Sequence, residues 1–241
     1  MSEAYRIKLP RGGTLEFQTA EGVFRPTHTS ELCVWAAHEL GKKLGKILDL
    51  GCGCGVVGIA AAKMGLTEGP VHASDISSQA ADLARQNGRE HQVVMEVRCG
   101  SVFEPWKGET FDCILDDVSG ITEDVACLSP WFSHHIPCAS GAEGVDLTVR
   151  VLEEAPAYLK KNGSLFFPVL SLSNAPKIVD KAHACFRVVK EVRAQEWALP
   201  DEMTPHLDKL REIRSEGRIF FEEKFGLAIC STQVYWCKDP I

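Results

Sequence analysis

No apolar run in this 241-residue sequence approaches the roughly 20 residues that a membrane-spanning helix needs. The opening MSEAYRIKLP also lacks the apolar core of a secretory signal. Positive charge is short: 26 Lys and Arg stand against 33 Asp and Glu, a formal net charge of −7. That balance argues against a broad phosphate-binding surface, though not against a local basic patch. Repeats, low-complexity tracts and linker-like stretches are missing too, so a single domain with a full-sized core is expected. What is plentiful is cysteine, with ten residues. In a leaderless chain of this size they read as reduced thiols, and the expected setting is the cytoplasm, with no membrane partner. Hydrophobic residues at 45% and charged residues at 24% complete an ordinary globular balance.

Hydrophobic periodicity predicts alternating strands and helices. Residues 5–9 and 14–18 (YRIKL, TLEFQ) flank Pro-Arg-Gly-Gly and read as a hairpin. Thr29-Ser30-Glu31 starts a helix with Leu32, Trp35, Ala36 and Leu40 on one face. Ile47–Leu50 reads as a short buried strand, Val56–Met64 as a helix and Val71–Ser74 as a second strand. Ser77 caps a helix whose inner face carries Ala80, Leu83, Ala84 and Asn87. Strands follow at 93–98 and 111–115, the latter leading into a long loop. A helix over about 145–160 runs through Asn162-Gly163 into a strand at 164–170. Residues 173–185 are helical, 186–192 a strand, 201–216 a polar helical insertion and 228–237 a final strand. This succession predicts an α/β fold in which a parallel sheet is wrapped by helices on both faces.

Such sheets bind ligands beyond the carboxyl ends of their strands, where strand order reverses. The stretch ILDLGCGCGVVGIAAA, residues 47–62, stands at such an end and places four glycines within eight positions. Gly51, Gly53 and Gly55 allow a sharp turn and close approach of a ligand, and the helix after them offers free N–H groups. Two ligands compete. From Gly53 the stretch fits the dinucleotide pattern G-x-G-x-x-G, with Asp75 near the distance expected for a ribose. From Asp49 it reads Asp-Leu-Gly-Cys-Gly-Cys-Gly, a nucleoside–methionine pattern. A carboxylate at the mouth of the loop would repel a pyrophosphate but suits the ammonium of S-adenosylmethionine, so Asp49 favours the second.

With these residues the chain resembles, over most of its length, the class I S-adenosylmethionine-dependent methyltransferases. Within them it is similar to the small-domain group that includes release-factor glutamine and ribosomal RNA methyltransferases. The segment LEFQTAEGVFRPTHTSELCVWAA resembles their Gly-Val-Phe turn and first helix, and ASDISSQAADLARQNGREH their second strand and its helix. SGAEGVDLTVRVLEEAPAYLKKNGSLFFPV follows the glutamine methyltransferases through a helix and strand. The resemblance implies a Rossmann-like, seven-stranded, mostly parallel sheet with an antiparallel last strand. It divides the chain into an N-terminal hairpin and lead-in (1–28) and a methyltransferase domain (29–241), with an insertion at about 201–217. It makes S-adenosyl-L-methionine the cofactor, held by Asp49, Gly51, Cys52, Gly53 and Gly55. Asp75 then meets the ribose hydroxyls and Ile76 covers the adenine. Ser101 and Val102 stand at the adenine edge, where the family often has Asp.

The departure lies after the fourth strand. The family's Asn-Pro-Pro-Tyr is replaced within FDCILDDVSGI, where Asp117 takes the asparagine position and Val118-Ser119-Gly120 replace Pro-Pro-Tyr. The amide and the aromatic that hold a planar nitrogen acceptor are both missing. Asp117 is the candidate catalytic residue, orienting an N–H or taking a proton, against the plainer reading of a turn aspartate. A protein or small-molecule acceptor is favoured, RNA stays open, and DNA is not expected. A nicotinamide-dinucleotide oxidoreductase and a non-catalytic S-adenosylmethionine-binding subunit are the alternatives. No metal is expected: Cys52 and Cys54 read as space-filling thiols, and His134, His135 and Cys138 lack further ligands nearby. Trp131 and Phe132 are read equally as acceptor contacts or as packing under the loop.

Overall fold

A computed structural model describes residues 4–10, 12–40, 43–132, 136 and 138–241. The predicted hairpin forms from β1 (Tyr5–Lys8) and β2 (Thr14–Phe17), paired antiparallel from Tyr5↔Phe17 to Lys8↔Thr14. Its inward residues Ile7, Leu15 and Phe17 are buried. The chain continues through α1 (His28–Glu39), β3 (Ile47–Leu50), α2 (Val56–Lys63), β4 (Val71–Asp75), α3 (Ser78–Glu90), β5 (Met95–Cys99) and β6 (Phe111–Asp116). Then come α4 (Glu123–Leu128), α5 (Asp146–Tyr158), β7 (Leu159–Leu170), α6 (Ala175–Cys185), β8 (Phe186–Ala198), α7 (Leu207–Ser215), β9 (Glu222–Lys224) and β10 (Leu227–Pro240). Among the described residues no helix is long and apolar enough to cross a membrane.

The sheet runs in the order β5-β4-β3-β6-β7-β10-β8, with the three-residue β9 paired to the start of β10. Strands β3 to β7 are parallel to their neighbours, and β10 lies antiparallel between β7 and β8. Seven long strands with an antiparallel last one are the expected architecture, and β9 is a short eighth. Chain order reverses between β3 and β6: β3 leads outward to β4 and β5, and the chain then crosses back to β6. A crevice opens at their carboxyl ends.

Local signals account for most element ends. Ser77 Oγ accepts from the Ala80 N–H at 3.3 Å, as a helix cap should, and Ala80, Leu83, Ala84 and Asn87 all face inward. The side chain of Asn87 does more than fill space. Its Oδ1 accepts from the Gln18 N–H, and its Nδ2 donates to the carbonyls of Gln18 and Cys54, tying the end of the hairpin to the glycine loop.

Several expectations are corrected. The loop after β6 contains α4, only six residues long but capped by Thr122 and led by Glu123 and Asp124. Six residues are too few for a 3.6-residue period to show. The helix expected to 160 ends at Tyr158, and Asn162-Gly163 lies inside β7 at an irregularity of the β6–β7 pairing. Strand β8 runs on to Ala198 because β10 pairs along its full length, although its exposed face is too polar to mark it.

The 201–217 insertion is a 3₁₀ turn (Asp201–His206) followed by α7. It is not a free appendage. Met203, Leu210 and Ile213 join Ile121, just before α4, Val125 within it, and Phe221, just before β9, in a separate core cluster. Because Ile121 follows the carboxyl end of β6 closely, this cluster stands beside the crevice.

Helix α2 approaches β3 and β4 closely at Gly58. A Cβ there would lie 2.6 Å from Val71 Cγ1 and 2.8 Å from Asp49 Oδ2. On an open helix, Gly→Ala stabilises by about 1 kcal/mol. Gly58→Ala should instead destabilise by about 1–3 kcal/mol, the usual cost of overpacking a core. Chemical denaturation measures it, and a gain in stability would show that α2 can ride up without loss.

Candidate functional site

A cavity of about 420 Å³ opens at the predicted crevice, between the segment leading into α1 and the carboxyl ends of β3, β4 and β6. Its first wall is the loop 51–55. Gly51, Gly53 and Gly55 have φ of +74°, +50° and +87°, the left-handed region where side chains other than glycine are strained. Their close neighbours differ. A Cβ on Gly51 would meet the Val118 backbone at 3.0 Å, and one on Gly55 would meet Ala84 of α3 at 3.3 Å. Gly53 has only the Phe24 carbonyl at 3.8 Å, so its face is open toward the cavity. Gly51, Cys52 and Gly53 line the cavity, whereas Gly55 lies behind it and serves the packing of α2 on α3.

Asp75, at the end of β4, sits on the wall. Its Oδ2 accepts from the Gly53 N–H and its Oδ1 from the Ser77 N–H, each at 2.9 Å. Burial raises its pKa, while those N–H groups pull it down. Each oxygen keeps a lone pair for a further donor. Ile76 beside it is 60% exposed, an apolar face open to a ligand. Across from it Val102 has φ +47°, a conformation that costs a β-branched residue about 1–3 kcal/mol and marks sites where geometry serves function. Its side chain is packed into the core cluster that holds Leu48 and Leu50, which keeps the strained backbone in place. Ser101 lines the cavity too, and its Oγ accepts from Arg150 Nη1 at 2.9 Å, leaving the O–H free to donate.

Asp49 is the correction. It is fully buried and lies off the cavity wall, because its Oδ2 turns under the loop to accept from the Gly58 N–H at 2.8 Å. Its expected place beside a ligand ammonium gives way to a place beneath the loop. Asp49 Oδ1 and Asp116 Oδ2 are both buried without a protein partner. Burial raises the Asp49 carboxyl to about 8, against the pull of the Gly58 N–H and with further push from Asp117 and Asp75. Asp116 is raised to about 7 by burial and by Asp49, against the Val118 N–H.

Asp117 follows the end of β6 and lines the cavity. Its N–H donates to the Leu50 carbonyl at 2.9 Å, and its Oδ2 accepts from the Ser30 hydroxyl at 2.6 Å. Burial holds its carboxyl near pH 7, with Ser30 pulling down and Asp116 pushing up. This is the range in which a carboxyl exchanges protons near neutrality.

Beyond Asp117 the cavity is aromatic. Phe24 and Phe132 approach at 5.0 Å, His28 and Trp197 at 5.0 Å, and Trp131 and Trp197 at 5.7 Å between ring centres. All five rings line the cavity, and Trp131 and Phe132 also pack against the cluster beside α4, so contact and packing coincide. Of these residues, His28 and Trp197 carried no signal in the sequence. His28 lies within the lead-in segment but nothing there assigns it a role, whereas Trp197 stands far from any motif, and only the pairing of β8 with β10 brings it here.

Cys138 donates within a small cluster with Ser119 and Ser140. His134 and His135 lie outside the described residues. No group of three or more metal-binding side chains occurs among the described residues.

Asp116 gives a pH test. An acid whose pKa is higher folded than unfolded favours folding when protonated. Between the unfolded value near 4 and about 7 the native state alone holds the proton, so this contribution to stability falls as pH rises. Asp116→Asn removes the titration, and its thermal stability relative to the parent should therefore rise between pH 4 and 7 and level off above. A difference independent of pH would mean that Asp116 is ionised throughout.

The methyltransferase small domain matches residues 14–117. The release factor glutamine methyltransferase of Geobacter sulfurreducens is 31% identical over 155 residues, covering 63% of this chain and 54% of that protein. The protein of the same name from Thermosynechococcus vestitus is 31% identical over 178 residues, 69% of this chain and 61% of that one. The ribosomal protein uL3 glutamine methyltransferase of Francisella tularensis is 30% identical over 128 residues, 51% and 40% of the two. The chain thus spans about half the length of these curated relatives. The fold is similar to that of a T. thermophilus 16S rRNA N2 G1207 methyltransferase solved with AdoMet and guanosine. The TM-score is 0.61 at 15% identity, over 98% of this chain and 50% of that one. Residues 14–117, which carry the glycine loop, Asp75 and Asp117, are thus similar to the methyltransferase small domain, and the chain as a whole to S-adenosylmethionine-dependent methyltransferases.

Proposed function

We propose that the chain transfers a methyl group from S-adenosyl-L-methionine to a protein or small-molecule acceptor brought to Asp117. The observation that carries this reading is one cavity whose wall holds the open loop face, Asp75 and the Asp117 carboxylate. S-adenosylmethionine, when bound, supplies an activated methyl on a sulfonium, so positioning and desolvation do most of the work that remains. Asp75 receives the ribose hydroxyls, Ile76 and Val102 cover the adenine, and Ser101 donates at its edge. Gly51, Cys52 and Gly53 give the methionine end a backbone wall without side chains in the way. On the same wall Asp117, held by Ser30, accepts the proton that the acceptor N–H or O–H gives up.

Two observations weigh against a nicotinamide dinucleotide. The Gly53 N–H is already given to Asp75 and the Gly58 N–H to Asp49, so a pyrophosphate would find donors spent and carboxylates in their place. Against a non-catalytic binding subunit stands the place of Asp117 on the cavity wall, its carboxylate oriented by the Ser30 hydroxyl. RNA is disfavoured by the absence of Lys and Arg among the described residues that line the cavity.

Isothermal titration should give micromolar affinity for S-adenosylmethionine and S-adenosylhomocysteine and none for nicotinamide dinucleotides. Asp75→Ala should lose about 1–3 kcal/mol of that affinity, the range for removing one partner of a buried or charged hydrogen bond. Unchanged binding would remove Asp75 from the site.

Turnover tests Asp117. If it takes the proton, Asp117→Asn should lower kcat by about 10²–10⁴-fold with cofactor affinity kept. The parent kcat/KM should rise with pH through about 7, as the carboxyl ionises, and the variant should lose that inflection. A variant that melts earlier at unchanged specific activity would make Asp117 a structural turn residue.

A further inference from the structure

The family's aromatic after β6 is missing here, yet the acceptor end of the cavity is more aromatic than a single tyrosine would make it. Three separate segments supply the rings. Phe24 and His28 come from the lead-in to α1, Trp131 and Phe132 from the loop after α4, and Trp197 from the end of β8. Trp197 stands edge-on to both His28 and Trp131, and its Nε1 donates to Thr232 Oγ1 at 3.0 Å. Its polar atom is therefore satisfied, and what it offers a ligand is ring surface. Pro200, leading into the 201–217 insertion, continues this wall.

Charge narrows the occupant further. Among the described residues that line the cavity none is Lys or Arg, and the charged ones are Asp75 and Asp117. Asp75 is already engaged by two backbone N–H groups. An anionic acceptor would meet a carboxylate and, among the described residues of the wall, no counter-charge; a neutral or cationic one meets no such penalty. His28 Nε2 is buried without a protein partner and burial lowers the pKa of the ring, so His28, like the other rings, offers the cavity neutral ring surface.

We infer that the methyl acceptor is a planar, aromatic small molecule without negative charge, carrying an N–H or O–H that faces Asp117. This rests on the methyltransferase reading and narrows its acceptor. A glutamine side chain needs one ring face for its amide and would leave most of this surface uncovered. An arene of one or two rings covers it, and each stacked or edge-on pair adds attraction beyond the area it buries. The transfer balances simply: the acceptor N or O gains the methyl, its proton passes to Asp117, and the cofactor leaves as the neutral thioether S-adenosylhomocysteine.

The test uses the full chain saturated with S-adenosylhomocysteine and follows probe binding by isothermal titration calorimetry. The probes are 1-naphthol, tryptamine, 1-naphthoate and a glutamine-containing tripeptide. Naphthol and tryptamine should bind in the micromolar range, with naphthoate and the tripeptide at least tenfold weaker. Trp197→Ala should weaken naphthol at least tenfold, and Trp197→Phe should restore most of the loss. S-adenosylhomocysteine affinity should stay within twofold in both variants, which also reports an intact fold. Equal binding of naphthoate, or preference for the tripeptide, would overturn the inference while leaving the methyltransferase reading in place. Failure of S-adenosylhomocysteine itself to bind would instead sink that reading.

Discussion

The hydrogen bond from the Gly58 N–H to the buried Asp49 carboxylate, 2.8 Å long, holds the site together. It joins the middle strand of the parallel sheet to the first turn of α2, and the loop between them has little freedom left. Gly58 is the residue that makes the bond possible, because any side chain there would stand where the carboxylate and Val71 already are. The loop is pinned a second time at Gly53, whose N–H goes to Asp75. Two acids from adjacent strands thus spend two of the N–H groups that a phosphate would otherwise seek. The same bonds that shape the cradle also decide which ligands suit it.

That construction concentrates acid beneath the site. Asp49, Asp116 and Asp117 come from neighbouring strands β3 and β6, paired in register through Asp49↔Leu115 and Leu50↔Asp116. Two of their oxygens, Asp49 Oδ1 and Asp116 Oδ2, have no protein partner. A buried carboxylate without a partner is costly, and the group answers by holding its proton. Asp117 differs from the other two in lining the cavity, where Ser30 orients it. Its raised pKa comes first from burial and then from Asp116 behind it.

The departure from the family's tetrapeptide is matched by changes elsewhere. With Val118-Ser119-Gly120 in place of Pro-Pro-Tyr, Gly51 and Val118 approach at van der Waals distance and close the wall between loop and β6. The aromatic surface of the cavity draws on Trp131 and Trp197. The 201–217 insertion and α4 stand behind it with their own core of Ile121, Val125, Met203, Leu210 and Ile213. An element that reads as a polar excursion in the sequence is the backing of the aromatic wall.

Sequence by itself determined the parts whose physics is local. The alternation of strands and helices, the Ser77 cap, the inward face of α3, the glycine loop and the acid ending β4 each declare themselves within a few residues. So do Ser101, Val102 and Asp117, through their offset from a strand end. Tertiary structure alone decided three things. It turned Asp49 beneath the loop, because where a carboxylate points depends on how closely α2 packs on β3. It gathered Phe24, His28, Trp131, Phe132 and Trp197 around one cavity from segments far apart in the chain. It also gave α4 and the long β8 their structure, because a six-residue helix and a polar edge strand carry too little periodicity and gain their stability from what they pack against.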